Sequence, residues 1–151
     1  MRSIYAIETN LGTMHAMEQN GIVKALYLPN SASPPLGGSP QTNLAQELKE
    51  YLGGTRKEFT VPFVIEGAPF HKAIWQALLT VPYGHTVTYG QLASMIGRVS
   101  AARAVGQAMA QNPLPILVPC HRVVYGHGKK QSYAGGEEMK LFLLKLEGAG
   151  E

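Results

Sequence analysis

The stretch Pro113 to Val124, PLPILVPCHRVV, constrains this chain more than any other. Its prolines and its lack of regular alternation point to a turn rather than a regular element. An apolar run, Ile116-Leu117-Val118, leads to Pro119, and then Cys120, His121 and Arg122 follow directly. Cys120 is the single cysteine in 151 residues. A cysteine reacts as its thiolate, and a nearby imidazole or positive charge favours that form. Neighbours on an extended chain point to opposite faces, so His121 serves Cys120 directly only if the backbone turns there. By residue type alone a lone cysteine is a small buried hydrophobe. The Pro-Cys-His-Arg string, with Asn112 just upstream, favours chemistry instead.

A chain of this length buries a real core and holds one or two small domains. One cysteine excludes an internal disulfide and a cysteine-cluster metal site, and it fits a reducing compartment. Residues 1–20 include Glu8 and Glu18, so no signal-peptide core is expected. No apolar run approaches the ~18 residues of a membrane span. The formal net charge is only +3, and its placement carries more information. No acidic residue lies between Glu66 and Glu137, while that interval carries Lys72, Arg98, Arg103, Arg122, Lys129 and Lys130. Such a surface approaches a phosphate backbone without repulsion. The lack of clustered carboxylates argues against a two-metal nuclease.

The expected fold is α/β of the α+β kind. Turn signals at Asn10-Leu11-Gly12 and Asn20-Gly21 divide residues 1–28 into three short strands, Ile4–Glu8, Thr13–Glu18 and Ile22–Leu28, of an antiparallel meander. After a Pro/Gly/Ser loop, Leu44, Leu48, Tyr51 and Leu52 recur at helical spacing from about Thr42. Gly53-Gly54 stops that helix. Residues 55–69 read as extended. The boundary is placed near Gly67, giving an amino-terminal domain of residues 1–67 and a mainly helical domain of residues 68–151. Pro69 fits the start of a helix from Phe70 to Leu79, with Trp75 read as core. Thr88 is a good N-cap for a helix from Tyr89 to Ile96, with Gln91 at the capping-box position, and Gly97 closes it. Ser100 caps a second helix through Ala110. A last helix runs from Glu137 to Glu147, with Met139, Leu141, Phe142, Leu144 and Leu146 as its apolar surface.

Two short helices joined by a Gly-containing turn are the sequence picture of a helix-turn-helix. The second offers Ala101, Ala102, Ala104, Gly106 and Ala108, small residues that let a helix approach a groove or another helix closely. Between Val124 and Glu137, Tyr125 to Gly136 reads as a flexible basic loop, with His127, Lys129 and Lys130 in its glycine-rich part at 126–131.

The string from Asn112-Pro113 through Cys120-His121-Arg122-Val123-Val124 resembles the active-site signature of the methylated-DNA–protein-cysteine methyltransferases, the O6-alkylguanine-DNA alkyltransferases. The likeness runs from Pro69 to Glu147, about half the chain. It implies stoichiometric, irreversible transfer of an alkyl group from O6 of guanine, less efficiently O4 of thymine, to the protein's own Cys120. It implies His121 as the base through a bridging water, Glu147 as the group holding the histidine tautomer, and Asn112 as the brace of the turn. Tyr89 would press on the 3′ phosphate and donate to guanine N3. Arg103 would fill the gap left by the extruded base. Ala102, Thr88, Ser100 and Arg122 complete the expected DNA contacts. Tyr133, Val123 and Ala134 are expected in the substrate pocket, with the Cys120 and Val123 carbonyls accepting from the guanine amino group. Ala134 stands where a serine is usual; its contact is a backbone N–H.

The resemblance further implies double-stranded DNA as partner, approached from the minor groove with base flipping, no cofactor, no metal, no obligate protein partner, a monomer, and a cytoplasmic or nucleoid-associated location. The competing reading is a helix-turn-helix DNA-binding or lesion-sensing protein without transfer, which leaves Cys120-His121 unexplained. A cysteine hydrolase is a third class, separated from the first by turnover.

Overall fold

A computed structural model of the chain describes residues 1–98, 102–125 and 133–149. They fall into two compact units, Met1–Glu66 and Gly67–Glu151. Ser100, expected as a cap and a DNA contact, and the basic loop 126–131 lie outside the described residues.

In the first unit, β1 (Arg2–Thr9), β2 (Gly12–Gln19) and β3 (Ile22–Tyr27) form an antiparallel meander in the order β1-β2-β3. Asn20 and Gly21 both take positive φ, the left-handed conformation that a two-residue hairpin turn requires. The alternation buries Ile4, Met14, Ala16, Val23 and Ala25. The helix α1 (Leu44–Leu52) buries Leu44, Leu48, Tyr51 and Leu52, the stripe read from the sequence. Glu18 is buried yet satisfied: it accepts from the Tyr5 and Thr42 hydroxyls and from the Gln41 backbone N–H.

The second unit is mainly helical. It contains α2 (Pro69–Leu78), α3 (Tyr89–Met95), α4 (Ala102–Ala110) and α5 (Glu137–Leu146). Proline at the first position of α2 suits a site whose N–H would be unpaired anyway. Trp75 is core, 2% exposed, and its indole N–H donates to the Ala108 carbonyl at 3.0 Å, tying α2 to α4. The capping box of α3 forms as read: the Thr88 hydroxyl accepts from the Gln91 N–H, and the Gln91 side chain accepts from the Thr88 N–H. Gly97, at φ 74°, takes the left-handed turn that ends α3.

Two features are new to the structure. A pair of two-residue strands, β4 (Val87–Thr88) and β5 (Val123–Val124), runs parallel with Val87 opposite Val123 and Thr88 opposite Val124. It joins the start of α3 to the segment after Cys120. The buried stripe of α5 also differs from the expected one. Lys140, Leu143 and Leu144 are buried, with Glu147 just beyond the helix, while Leu141 is 48% exposed. Positions 140, 143, 144 and 147 follow the i, i+3, i+4, i+7 rule; charges at both ends hid the stripe from a reading of apolar residues. Among the described residues no helix is long and apolar enough to cross a membrane.

Candidate active site

The backbone turns where the chemistry requires it. Cys120–Arg122 forms a single 3₁₀ turn, entered from Pro119. Asn112 fixes the approach: its side-chain carbonyl accepts from the Leu114 N–H, and its amide donates to the Val118 carbonyl, both at 2.9 Å. Between those ties Ile116 sits at φ 78°, a conformation a β-branched residue rarely adopts. The two Asn112 hydrogen bonds hold the segment against that strain.

His121 and Arg122 both turn inward to Glu147. His121 Nε2 lies 2.7 Å from Glu147 Oε2, with both side chains fully buried. With Glu147 ionised the carboxylate only accepts, so Nε2 then carries the proton and Nδ1 the lone pair. Nδ1 is buried and has no hydrogen-bond partner among the described residues. Arg122 donates to the same carboxylate with two prongs, Nε to Oε1 at 2.9 Å and Nη2 to Oε2 at 3.0 Å, and its Nη1 reaches the Val81 carbonyl at 2.8 Å. Arg122 is only 8% exposed. The expectation that it contacts DNA is therefore corrected: its guanidinium is committed to Glu147 and Val81, and counting cations along a sequence takes no account of burial.

The electrostatics follow from desolvation. Burial pushes the Cys120 thiol up to about 11, opposed by the Asn112 amide and the Lys140 charge. His121 is held well below its ordinary value by burial and by the Arg122 and Lys140 charges. At rest the pair is thus a neutral thiol and a neutral imidazole. Arg122, drawn down to about 10 by burial, stays protonated at neutral pH. Burial pushes the Glu147 carboxyl up to about 8, while the Gly84 backbone N–H pulls the other way. The two-pronged contact from a charged guanidinium also favours the carboxylate.

Cys120 opens into a pocket of about 570 Å³. Tyr89 and Tyr125 line it from beside the two short strands, Arg103, Gly106 and Met109 line it from α4, and Tyr133 and Ala134 complete it. Tyr133 stands edge-on to His121, with ring centroids 6.5 Å apart. Its hydroxyl is buried with no partner among the described residues, and burial, then the nearby Cys120, raises it. The carbonyls expected to face a guanine amino group each hold one internal donor: Cys120 accepts from the Val123 N–H, and Val123 accepts from Lys140 Nζ at 2.5 Å. A carbonyl has two lone pairs, so one remains on each.

Residues 69–149 match the family model described as 6-O-methylguanine DNA methyltransferase, DNA binding domain. A methylated-DNA–protein-cysteine methyltransferase of Methanosarcina acetivorans is 49% identical over 105 residues, 70% of this chain.

The chain belongs to this methyltransferase family.

The constitutive methylated-DNA–protein-cysteine methyltransferase of Bacillus subtilis is 47% identical over 68% of this chain. The aligned stretches span 67% and 62% of those two relatives' own lengths. The crystal structure of the Mycobacterium tuberculosis OGT in complex with DNA superposes with a TM-score of 0.89 at 36% identity, covering 96% of this chain and 92% of that one. The α+β architecture expected from the sequence is thus that of the Mycobacterium tuberculosis OGT.

Against the residues expected from the family, the structure brings together Cys120, Tyr89, Arg103, Tyr133 and Ala134 around one pocket. His121, Glu147 and Asn112 stand behind it. Thr88 and Val123 sit on the short parallel pair, Thr88 with its hydroxyl occupied by the cap. Ala102 opens α4. Two residues were missed. Lys140 was hidden as a cation in an apolar stripe, and Tyr125 was read as part of the basic loop. For Tyr125 the available signal was its place one residue beyond the apolar pair Val123-Val124.

Proposed function

We propose that this protein repairs alkylated DNA by moving the alkyl group from O6 of guanine to Cys120, once per molecule. The observation that carries the reading is the pairing of a pocket floored by one buried cysteine with a histidine that Glu147 fixes in the Nδ1-acceptor form. In the reaction the Cys120 proton passes towards Nδ1 through a bridging water, the sulfur attacks the alkyl carbon, and the carbon–O6 bond breaks. The electron pair of that bond goes to guanine, whose developing charge a hydrogen bond from the Tyr89 hydroxyl to N3 stabilises, and the proton held by the imidazole is passed on to guanine through water so that it leaves as a neutral base. The thioether that remains offers no route back, so the protein is spent.

Double-stranded DNA is the partner in this reading. The Mycobacterium tuberculosis relative is known in complex with DNA, and the acid-free interval from Glu66 to Glu137 supplies a surface without repulsion. A base inside a duplex cannot reach a pocket of this kind, so it is extruded, through the minor groove, with Arg103 filling its place. Arg103 is exposed and lines the pocket, as that role requires.

The test is intact-mass measurement after incubation with excess duplex containing O6-methylguanine. One methyl, about 14 Da, is expected on the peptide holding Cys120, and Cys120→Ser should bind the duplex yet transfer almost nothing. Many guanines restored per protein molecule, or a methyl on another residue, would overturn the reading.

A further inference from the structure

We infer that Tyr125 is a positioning residue for the transfer: its ring holds Tyr89 in the orientation from which the Tyr89 hydroxyl meets the extruded base. The inference rests on the role proposed above for Tyr89.

Topology creates the pair. Thr88 and Val124 are register partners in the parallel strands, so Tyr89 and Tyr125 are the next residues on two neighbouring segments. Their rings stack with centroids 4.7 Å apart and planes 27° from parallel, within the range of a favourable offset aromatic pair. Both rings line the pocket that contains Cys120. The helices themselves give the Tyr89 ring little support. It is the first residue of α3, so no preceding helical turn lies beneath its side chain. Gly90 follows it. On α4 it meets Gly106, where even an added Cβ would only just reach the ring edge, at 4.0 Å. Tyr125 supplies the aromatic face that these small residues do not.

The Tyr89 hydroxyl is raised above the ordinary tyrosine value by burial and then by Tyr125, whose side chain also hydrogen-bonds it. It therefore keeps its proton throughout the physiological range and remains a donor. A donor held in place before the base arrives loses no rotamer freedom at the moment of reaction. Tyr125 thus acts on the chemical step through Tyr89 rather than by touching the alkyl carbon.

The experiment is single-turnover repair of an O6-methylguanine duplex, with the saturating rate and the half-saturating duplex concentration measured separately. Tyr125→Ala should slow the saturating rate by about two- to tenfold, the rate equivalent of one aromatic pair, and leave half-saturation within about twofold. Tyr125→Phe, which keeps the stacked ring and loses only the hydroxyl contact, should recover most of the rate. Tyr125→Leu, which keeps apolar volume without an aromatic face, should behave like Tyr125→Ala and so separates stacking from folding. In a Tyr89→Ala background Tyr125→Ala should add less than about a twofold effect. An equal loss in that background, a Tyr125→Phe variant no better than alanine, or a loss confined to half-saturation would overturn the inference. A Tyr89→Ala variant as fast as the parent would remove the role of Tyr89 on which it rests. Absence of any methyl on Cys120 of the unaltered protein would overturn the functional reading itself, and this inference with it.

Discussion

Glu147→Gln is the substitution that most directly tests how the site is held. It keeps the shape of the side chain and removes its charge. Two forces compete on the native carboxyl: burial raises it to about 8, and the two Arg122 donors, at 2.9 and 3.0 Å, favour the carboxylate. Among the described residues Glu147 is the one acid paired with Arg122. Removing the negative charge leaves a buried guanidinium without a counter-ion and turns an amide NH₂ towards donors already in place. Breaking a buried pair from one side costs about 3–5 kcal/mol. For a chain of this size each kcal/mol shifts the midpoint by roughly 2–4 °C, so Tm should fall by about 6–20 °C. The single tryptophan makes the assay specific. Trp75 is buried in the unit that contains the site, so its fluorescence in a urea titration reports that unit. A Glu147→Gln protein within about 1 kcal/mol of the parent would show that the carboxyl is neutral at rest and that the ionic account is wrong.

Other substitutions separate the remaining parts. Arg103→Ala should slow repair of a lesion in duplex DNA while changing reaction with free O6-benzylguanine much less, because a free base needs no extrusion; equal losses on both would assign Arg103 to the pocket or the fold. Lys140→Met should slow alkylation of Cys120 by iodoacetamide near neutral pH, because the positive charge that lowers the thiol is gone. Lys140 itself is drawn down by burial and loses its proton near pH 8, so the gap between parent and variant should narrow as pH rises above about 8. A gap that widens instead would show that Lys140 acts by packing alone.

Much of this was legible in the residues, for identifiable reasons. The meander could be read because Asn-Gly at 20–21 demands a left-handed turn, and the flanking segments alternate around it. The α3 start could be read because Thr88 and Gln91 stand at capping-box spacing. The parallel pair β4–β5 could not: two residues are too few to show a period, and the partners lie 36 positions apart, as Val87 and Val123. Arg122 was misplaced because its charge suggested a surface, whereas the fold brings Glu147 to it. Cys120 and His121 stood out by adjacency, and Asn112 and Glu147 through family likeness.

The α5 stripe explains why the missed lysine and the remote glutamate belong to one arrangement. Lys140 and Glu147 lie seven residues apart on one face, about 10 Å along the axis, with Leu143 and Leu144 between them. That face presents opposite charges to the turn holding Cys120, His121 and Arg122. Lys140 lies where its charge favours the thiolate, and Glu147 contacts the ring that the proposed transfer would turn into an imidazolium. At rest neither ion exists: burial holds the thiol up to about 11 and the histidine well down. A neutral, buried pair is protected from adventitious alkylation and oxidation, since both need the thiolate. In the proposed transfer a proton moving from sulfur to imidazole would meet Lys140 beside the thiolate and Glu147 beside the imidazolium, although the Lys140 and Arg122 charges oppose the imidazolium. On the proposed mechanism burial would keep the cysteine inert between encounters, while Lys140 would favour the thiolate and Glu147 the imidazolium once the proton moves.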